Sequence, residues 1–282
     1  MKLTTILLLF FLVLPKTVTA QTVQGIVLDS ATRDPLPYVH IGVVGKNVGV
    51  ISRDDGTFHI DLHKTAPSDS LTFSLLGYRK QRLSPSEWKQ GKLTVALSPR
   101  IYTLREIHVE DTRIDDPVKL GRHQPTKITT GYSGTGEFGF GGEWGIRINH
   151  DGQTYQIRDI NLHTRFNTLD SVLFRFNIYS IQDNLPDTSL LSDEMFVTSH
   201  KRDRWITKDV TTERLVIDQD VIVAFEVVRL WYSATGSNAL FYTHGEGYNQ
   251  PDTYRRASSL DRWTVLRDPP ITLYLTVDGY VP

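Results

Sequence analysis

The sequence contains no cysteine. That excludes disulfides, thiolate metal sites, a cysteine nucleophile and a lipid-bearing cysteine. It carries almost no charge bias, since 31 basic side chains against 32 acidic ones leave a formal net charge of −1. No basic field gathers nucleic acid or anionic lipid, which argues against partners recognised by bulk electrostatics. No His-Glu-x-x-His or His-x-x-Glu pairing occurs, so a zinc-hydrolase site has no ligand set. No stretch has convincing helical periodicity. Beyond the first twenty residues no apolar run reaches membrane-spanning length.

What is present begins with a leader-like segment. Lys2 gives a positive start, Ile6 to Leu14 is an unbroken apolar run, and Val18-Thr19-Ala20 supplies small residues for a peptidase. Residues 1–20 are expected to be a cleaved secretory signal, the alternative being an uncleaved anchor. The expected address is the periplasm or the outer-membrane surface. A hydrophobic content of 39% is enough to hold such a chain by core burial without cross-links.

From Thr22 to Pro99 short alternating strands are separated by turn signals. Val23, Gly25 and Val27 share a face, as do Val39, Ile41 and Val43, and Phe58, Ile60 and Leu62. A period of two marks half-buried strands. Asp54-Asp55-Gly56 is a turn, Ser84 to Gly91 suits one helical turn, and Leu93 to Leu97 closes the unit. Asp29, Asp54 and Asp55 are expected to cap turns through neighbouring backbone amides.

The run Gly25-x-Val27-x-Asp29, Pro35-Leu-Pro-x-Val39-x-Ile41, Gly49, Asp55-Gly56-x-Phe58-x-Ile60, Leu71-x-Phe73, Gly77-Tyr78 resembles the carboxypeptidase regulatory-like domain. The resemblance covers roughly residues 22–110 and implies a transthyretin-like, Ig-like β-sandwich of seven strands. That module also precedes many TonB-dependent outer-membrane receptors and envelope proteins of the Bacteroidetes type. It does no chemistry in the peptidases that carry it. One departure is Arg53, where the family often has threonine two residues before the Asp-Gly pair.

Residues 111–126, charged and holding Pro117 and Pro125, are expected to be a linker between a 21–110 domain and a 127–282 domain. The second half opens on a glycine-dense run. Its formal G-x-G-x-x-G match at Gly134, Gly136 and Gly139 is followed by an alternating strand rather than a helix, which removes the dinucleotide reading. Val221 to Tyr232 is the best candidate for a central strand. The rest reads as more strands, and two packed antiparallel sheets, jelly-roll-like, are the expected solution. Gly142-Glu-Trp144-x-Ile146-x-Ile148, Trp205-Ile-x-x-Asp209 and Val223-Ala-Phe-Glu226 are similar to an uncharacterised sandwich domain that accompanies the regulatory-like module; that resemblance implies fold and location only.

Trp144, Trp205, Trp231, Tyr232 and Trp263 could stack on sugar rings or fill the core. Tyr242 to Asn249 reads as a polar, glycine-rich loop at one end of the sandwich. The ligand-binding candidates are therefore Trp144, Trp231, Tyr232, His244, Glu246, Tyr248 and Trp263. Glu137, Glu143, Asp159, Glu226 and Glu246 could include a glycosidase-type carboxylate pair. Glu226 sits inside an apolar strand, where a salt bridge to an arginine such as Arg175 is the plainer account. No catalytic residue, metal ligand or cofactor is assigned. The expected function is a non-catalytic cell-envelope binding protein whose ligand is a glycan or another envelope protein. The alternative is a glycan- or peptide-directed hydrolase using carboxylates of the second domain.

Overall fold

The computed structural model describes residues 22–89, 91–100, 113–133, 140–232, 238–246, 253–267 and 270–280. The expected leader, Gly134 to Gly139 of the glycine run, and Tyr248 lie outside them. No helix among the described residues is long and apolar enough to cross a membrane.

The first domain contains β1 (Thr22–Asp29), β2 (His40–Gly42), β3 (Gly49–Ile51), β4 (Thr57–Asp61), β5 (Leu71–Ser74) and β6 (Gln81–Leu83), then helix α1 (Pro85–Trp88) and β7 (Lys92–Leu97). Sheet I has the order β4-β1-β7 and sheet II the order β3-β2-β5-β6. The strands alternate as the sequence requires. Val23, Val27, Ile41, Phe58, Ile60, Phe73 and Leu97 turn inward into one core, with Trp88 plugging it from α1. The Asp54-Asp55-Gly56 turn needs its glycine: Gly56 has φ of +76°, and a Cβ there would lie 2.7 Å from the Val27 carbonyl oxygen. Asp55 accepts from the Thr57 amide at 2.9 Å, as expected of a turn cap. Asp29 likewise accepts from the Ala31 and Thr32 amides at 2.6 and 3.1 Å. Tyr78 donates its hydroxyl to the other oxygen of Asp29 at 2.8 Å, which ties the first strand to the Gly77-Tyr78 end of the motif.

The second domain starts earlier than the sequence suggests. Arg113–Gly121, expected inside a linker, is strand β8, and Pro125–Ser133 is β9. Their prolines and charges read as linker because both are sheet edges, where a missing backbone donor and a solvated flank are tolerated. There follow β10 (Glu143–Ile148), β11 (Tyr155–Asn167), β12 (Ser171–Gln182), β13 (Leu185–Ser189), β14 (Met195–His200), β15 (Trp205–Asp209) and β16 (Val216–Ile217). The chain ends with β17 (Val221–Trp231), β18 (Ala239–Gly245), β19 (Thr253–Arg256), β20 (Thr264–Leu266) and β21 (Leu273–Tyr280). Sheet III runs β13-β12-β17-β10-β19-β20, with β14 also on β12. Sheet IV runs β8-β21-β11-β18-β9, with β15 and β16 on β11. The two sheets enclose a core that includes Ile146, Leu162, Phe174, Phe176, Val223, Phe225, Tyr242 and Leu275. The protein is all-β, and β17 takes the central place that its apolar run indicates.

Alternation along β17 positions everything that follows. Val221, Val223, Phe225 and Val227 face the core of the second domain. Glu226 points to the opposite side and is nevertheless fully buried. Sheet II of the first domain and the Ser259 turn lie over it.

Candidate functional site

The outer face of sheet III carries a row of charges set by strand register. Arg256 of β19 lies opposite Glu143 of β10, Glu143 opposite Glu226 of β17, and Glu226 opposite Arg175 of β12. Two carboxylates directly opposite each other repel. Here an arginine flanks each: Arg256 pairs with Glu143, and Arg175 with Glu226. The Tyr179 hydroxyl donates to Glu143 at 3.0 Å. The first domain seals the row. His40 reaches Glu226 through Nε2 at 3.3 Å, and Arg175 donates to the Tyr38 carbonyl at 2.8 Å. Arg175 also donates to Glu194 at 2.8 Å, and Glu194 accepts the Leu76 amide at 3.2 Å. Asp54, expected to cap its own turn, instead pairs with Arg229 across the junction. Burial is the largest influence on the Glu226 carboxyl and pushes it up. Arg175, then His40 and Arg256, outweigh it and hold Glu226 well below the usual carboxylate range.

The same junction contains two arrangements with chemical potential. His40 Nδ1 lies 3.0 Å from Ser259 Oγ while Nε2 faces Glu226, giving a serine–histidine–carboxylate chain. Ser259 is fully buried, and a Cβ added to Gly141 would lie 2.1 Å from its Oγ. A substrate carbonyl has no room beside that hydroxyl. Donor atoms of His40, Glu143 and Glu226 also lie within 4.8 Å of one another, the donor set of a divalent-metal site. Both carboxylates already hold guanidinium groups, and a dication would sit against those two cations. The chemistry that this cluster performs is attachment of one domain to the other.

The outer face of sheet IV is different, because the first domain lies on the opposite side of the sandwich. Leu162, Leu273 and Leu275 turn into the core. Asn161, His163, Tyr274 and Thr276 point outward between them, and β15 adds Trp205 and Thr207. The Trp205 and Tyr274 rings stand 5.5 Å apart at 81°, a floor and a wall. His163 packs against Trp205 at 4.6 Å, and Lys119 lies 5.3 Å from the Tyr274 ring. Trp205 is 40% exposed.

The polar groups around this corner are fixed by their neighbours. Thr243 donates to Thr272 at 3.0 Å, so its oxygen accepts from His163 Nδ1 at 2.9 Å and leaves Nε2 as an acceptor. Burial, then Arg204 and Arg165, lower the His163 pKa and favour the neutral ring. Asn161 donates to Asp159 and to Thr276, and accepts from Thr207 at 2.8 Å.

The candidates read from sequence do not converge. Trp144 packs against the core of the second domain, with Arg255 5.0 Å over its ring. Trp231 and Trp263 are half-buried, covered by Arg229 at 4.6 Å and Arg256 at 5.1 Å. Trp231 pairs with Ser171 and Trp263 packs on Tyr179, two points on β12 that are about 26 Å apart at 3.3 Å per residue. Tyr232 is 57% exposed, Glu246 is exposed and His244 is buried. Of the five weighed carboxylates, Glu137 lies outside the described residues, and Glu143 and Glu226 are the pair brought together, under the first domain. Tyr274 was missed in the sequence. Its only signal there is alternation along Leu273–Tyr280, and its partner Trp205 is far away in the chain.

Fold and site together define a two-domain all-β protein with one sandwich face closed and one open. Residues 23–109 match the model of a known family, the CarboxypepD_reg-like domain. The first domain is a CarboxypepD_reg-like domain. No curated protein matches the chain.

Proposed function

We propose that the protein is an exported, non-catalytic binding protein of the cell envelope. Its second domain holds a neutral glycan in the corner between Trp205 and Tyr274. The observation that carries this reading is the placement of that corner on the sandwich face that the first domain leaves open. Aromatic faces take the apolar side of a sugar ring, while Asp159, Thr207, Thr276 and His163 Nε2 offer groups for its hydroxyls. The first domain, locked by the charge row, acts as a rigid mount.

Isothermal titration calorimetry of the mature chain against a panel of neutral envelope and plant polysaccharides tests this. Trp205→Ala is expected to weaken binding about tenfold, or roughly 1.4 kcal/mol. Absence of binding across the panel, or binding that ignores Trp205, overturns the reading. A protein ligand on the same sheet is the second reading. It is favoured by the exposed Phe166, which meets Phe241 edge-on at 6.3 Å.

A further inference from the structure

The outward face of sheet I bears a second concavity, distinct in chemistry from the aromatic corner. It is an open depression of about 560 Å³ lined by residues of β1, β4, β7 and the turn before β4. That volume is in the range of small-molecule sites. Register explains its layout. Gln24 lies between His59 and Lys92 in one cross-strand row, and Ile26 lies between Thr57 and Thr94 in the next. Gly25 separates the rows. Its missing side chain belongs to the core-facing side that it shares with Val23 and Val27, where a Cβ would lie 2.2 Å from the Leu93 carbonyl oxygen and 3.0 Å from the Phe58 ring, so glycine lets β1 pack closely there. Arg53 and Asp55 close the end beside Thr57.

Arg53, His59 and Lys92 are all exposed. None of the ion pairs among the described residues uses them. The single acid in the lining, Asp55, spends one oxygen on the Thr57 amide and hydroxyl. His59 and Lys92 flank Gln24 from opposite neighbours, about 10 Å apart across two strand spacings. Their side chains and that of Arg53 can close on one anionic group above Gln24 and Ile26. No Trp, Tyr or Phe side chain faces outward in the two rows, so a neutral sugar finds no broad stacking surface and charge must supply the affinity.

We infer that this concavity binds an acidic saccharide, with a uronate carboxylate held by Arg53 and Lys92 and its ring hydroxyls by Gln24, Thr57 and Thr94. Charge complementarity selects an anion. The absence of a nest selects carboxylate on a sugar over phosphate. Phosphate sites recruit clustered free backbone amides, whereas β1 is hydrogen-bonded on both sides by β4 and β7. The inference stands apart from the proposed glycan corner on sheet IV, and either can fail without the other.

The test is calorimetric titration of the mature chain with a galacturonate trimer, a neutral trisaccharide and inorganic phosphate. The Arg53→Gln/Lys92→Gln variant and Trp205→Ala are run in parallel. Both altered side chains of the first variant are exposed, so the fold survives. The galacturonate trimer is expected to bind, to bind at least tenfold more weakly in the Arg53→Gln/Lys92→Gln variant, to be indifferent to Trp205→Ala, and to weaken with added salt. The inference is overturned if the trimer does not bind, if the double variant binds it equally well, or if phosphate or the neutral sugar competes equally.

Discussion

Replacing Arg175 with methionine tests whether the charge row holds the domains together. Methionine keeps most of the volume, so the change is electrostatic rather than a cavity. Arg175 is 1% exposed, and its loss removes the pair with Glu226, the bond to Glu194 and the bond to the Tyr38 carbonyl. Glu226, with no exposure at all, keeps only its direct contact with His40 and the more distant charge of Arg256. Breaking a buried pair from one side costs about 3–5 kcal/mol. Total stabilities run about 5–15 kcal/mol, so the loss is a large fraction. Urea unfolding followed by tryptophan fluorescence measures it. Arg175→Met is expected to lower stability by about 4 kcal/mol and to split the transition, because the bond to the Tyr38 carbonyl is lost and Glu194, which holds the Leu76 amide, loses its guanidinium partner. Arg175→Met/Glu226→Leu removes both charges and is expected to recover most of that loss. A single variant costing under about 1 kcal/mol, or a double variant as costly as the sum of its singles, refutes the reasoning.

Acid should open the same junction. The folded Glu226 carboxyl titrates below its ordinary value of 4.5. Its contribution is therefore complete above that pH and is lost as pH falls below it, and Glu226→Gln should flatten this part of the stability profile. Gly49→Ala should separate the domains without touching a charge. Its Cβ would lie 2.1 Å from the Ser259 carbonyl oxygen, at a cost of about 2 kcal/mol or more, and limited proteolysis between residues 100 and 113 should accelerate. Tyr78→Phe should destabilise the first domain by about 1 kcal/mol through the lost bond to Asp29, with no change in glycan binding.

The first domain was nearly all legible because its strands alternate cleanly and its turns use Asp and Gly. Glu226 was legible for a similar reason: a charge in an apolar strand must find a counter-charge, and Arg175 is its cross-strand neighbour. The Trp205–Tyr274 corner was not legible. It exists only once β15 and β21 have both paired with β11, and no local pattern encodes that pairing. His40 reads as an ordinary strand residue, since its partners Ser259 and Glu226 belong to the other domain. Of the tryptophans among the ligand candidates, strand parity turns Trp144 toward the core, and the length of β12 separates Trp231 from Trp263; neither can be read before the register is known.

The position of the two prolines has a consequence for how copies of this chain meet. Sheet IV ends on β8 and β9, which contain Pro117 and Pro125, and a third irregularity shifts the β8–β21 register between Val277 and Gly279. An edge interrupted in this way is a poor template for a strand from another molecule. The aromatic corner can thus stay exposed at high local concentration while the flanks beside it resist fibril-like stacking.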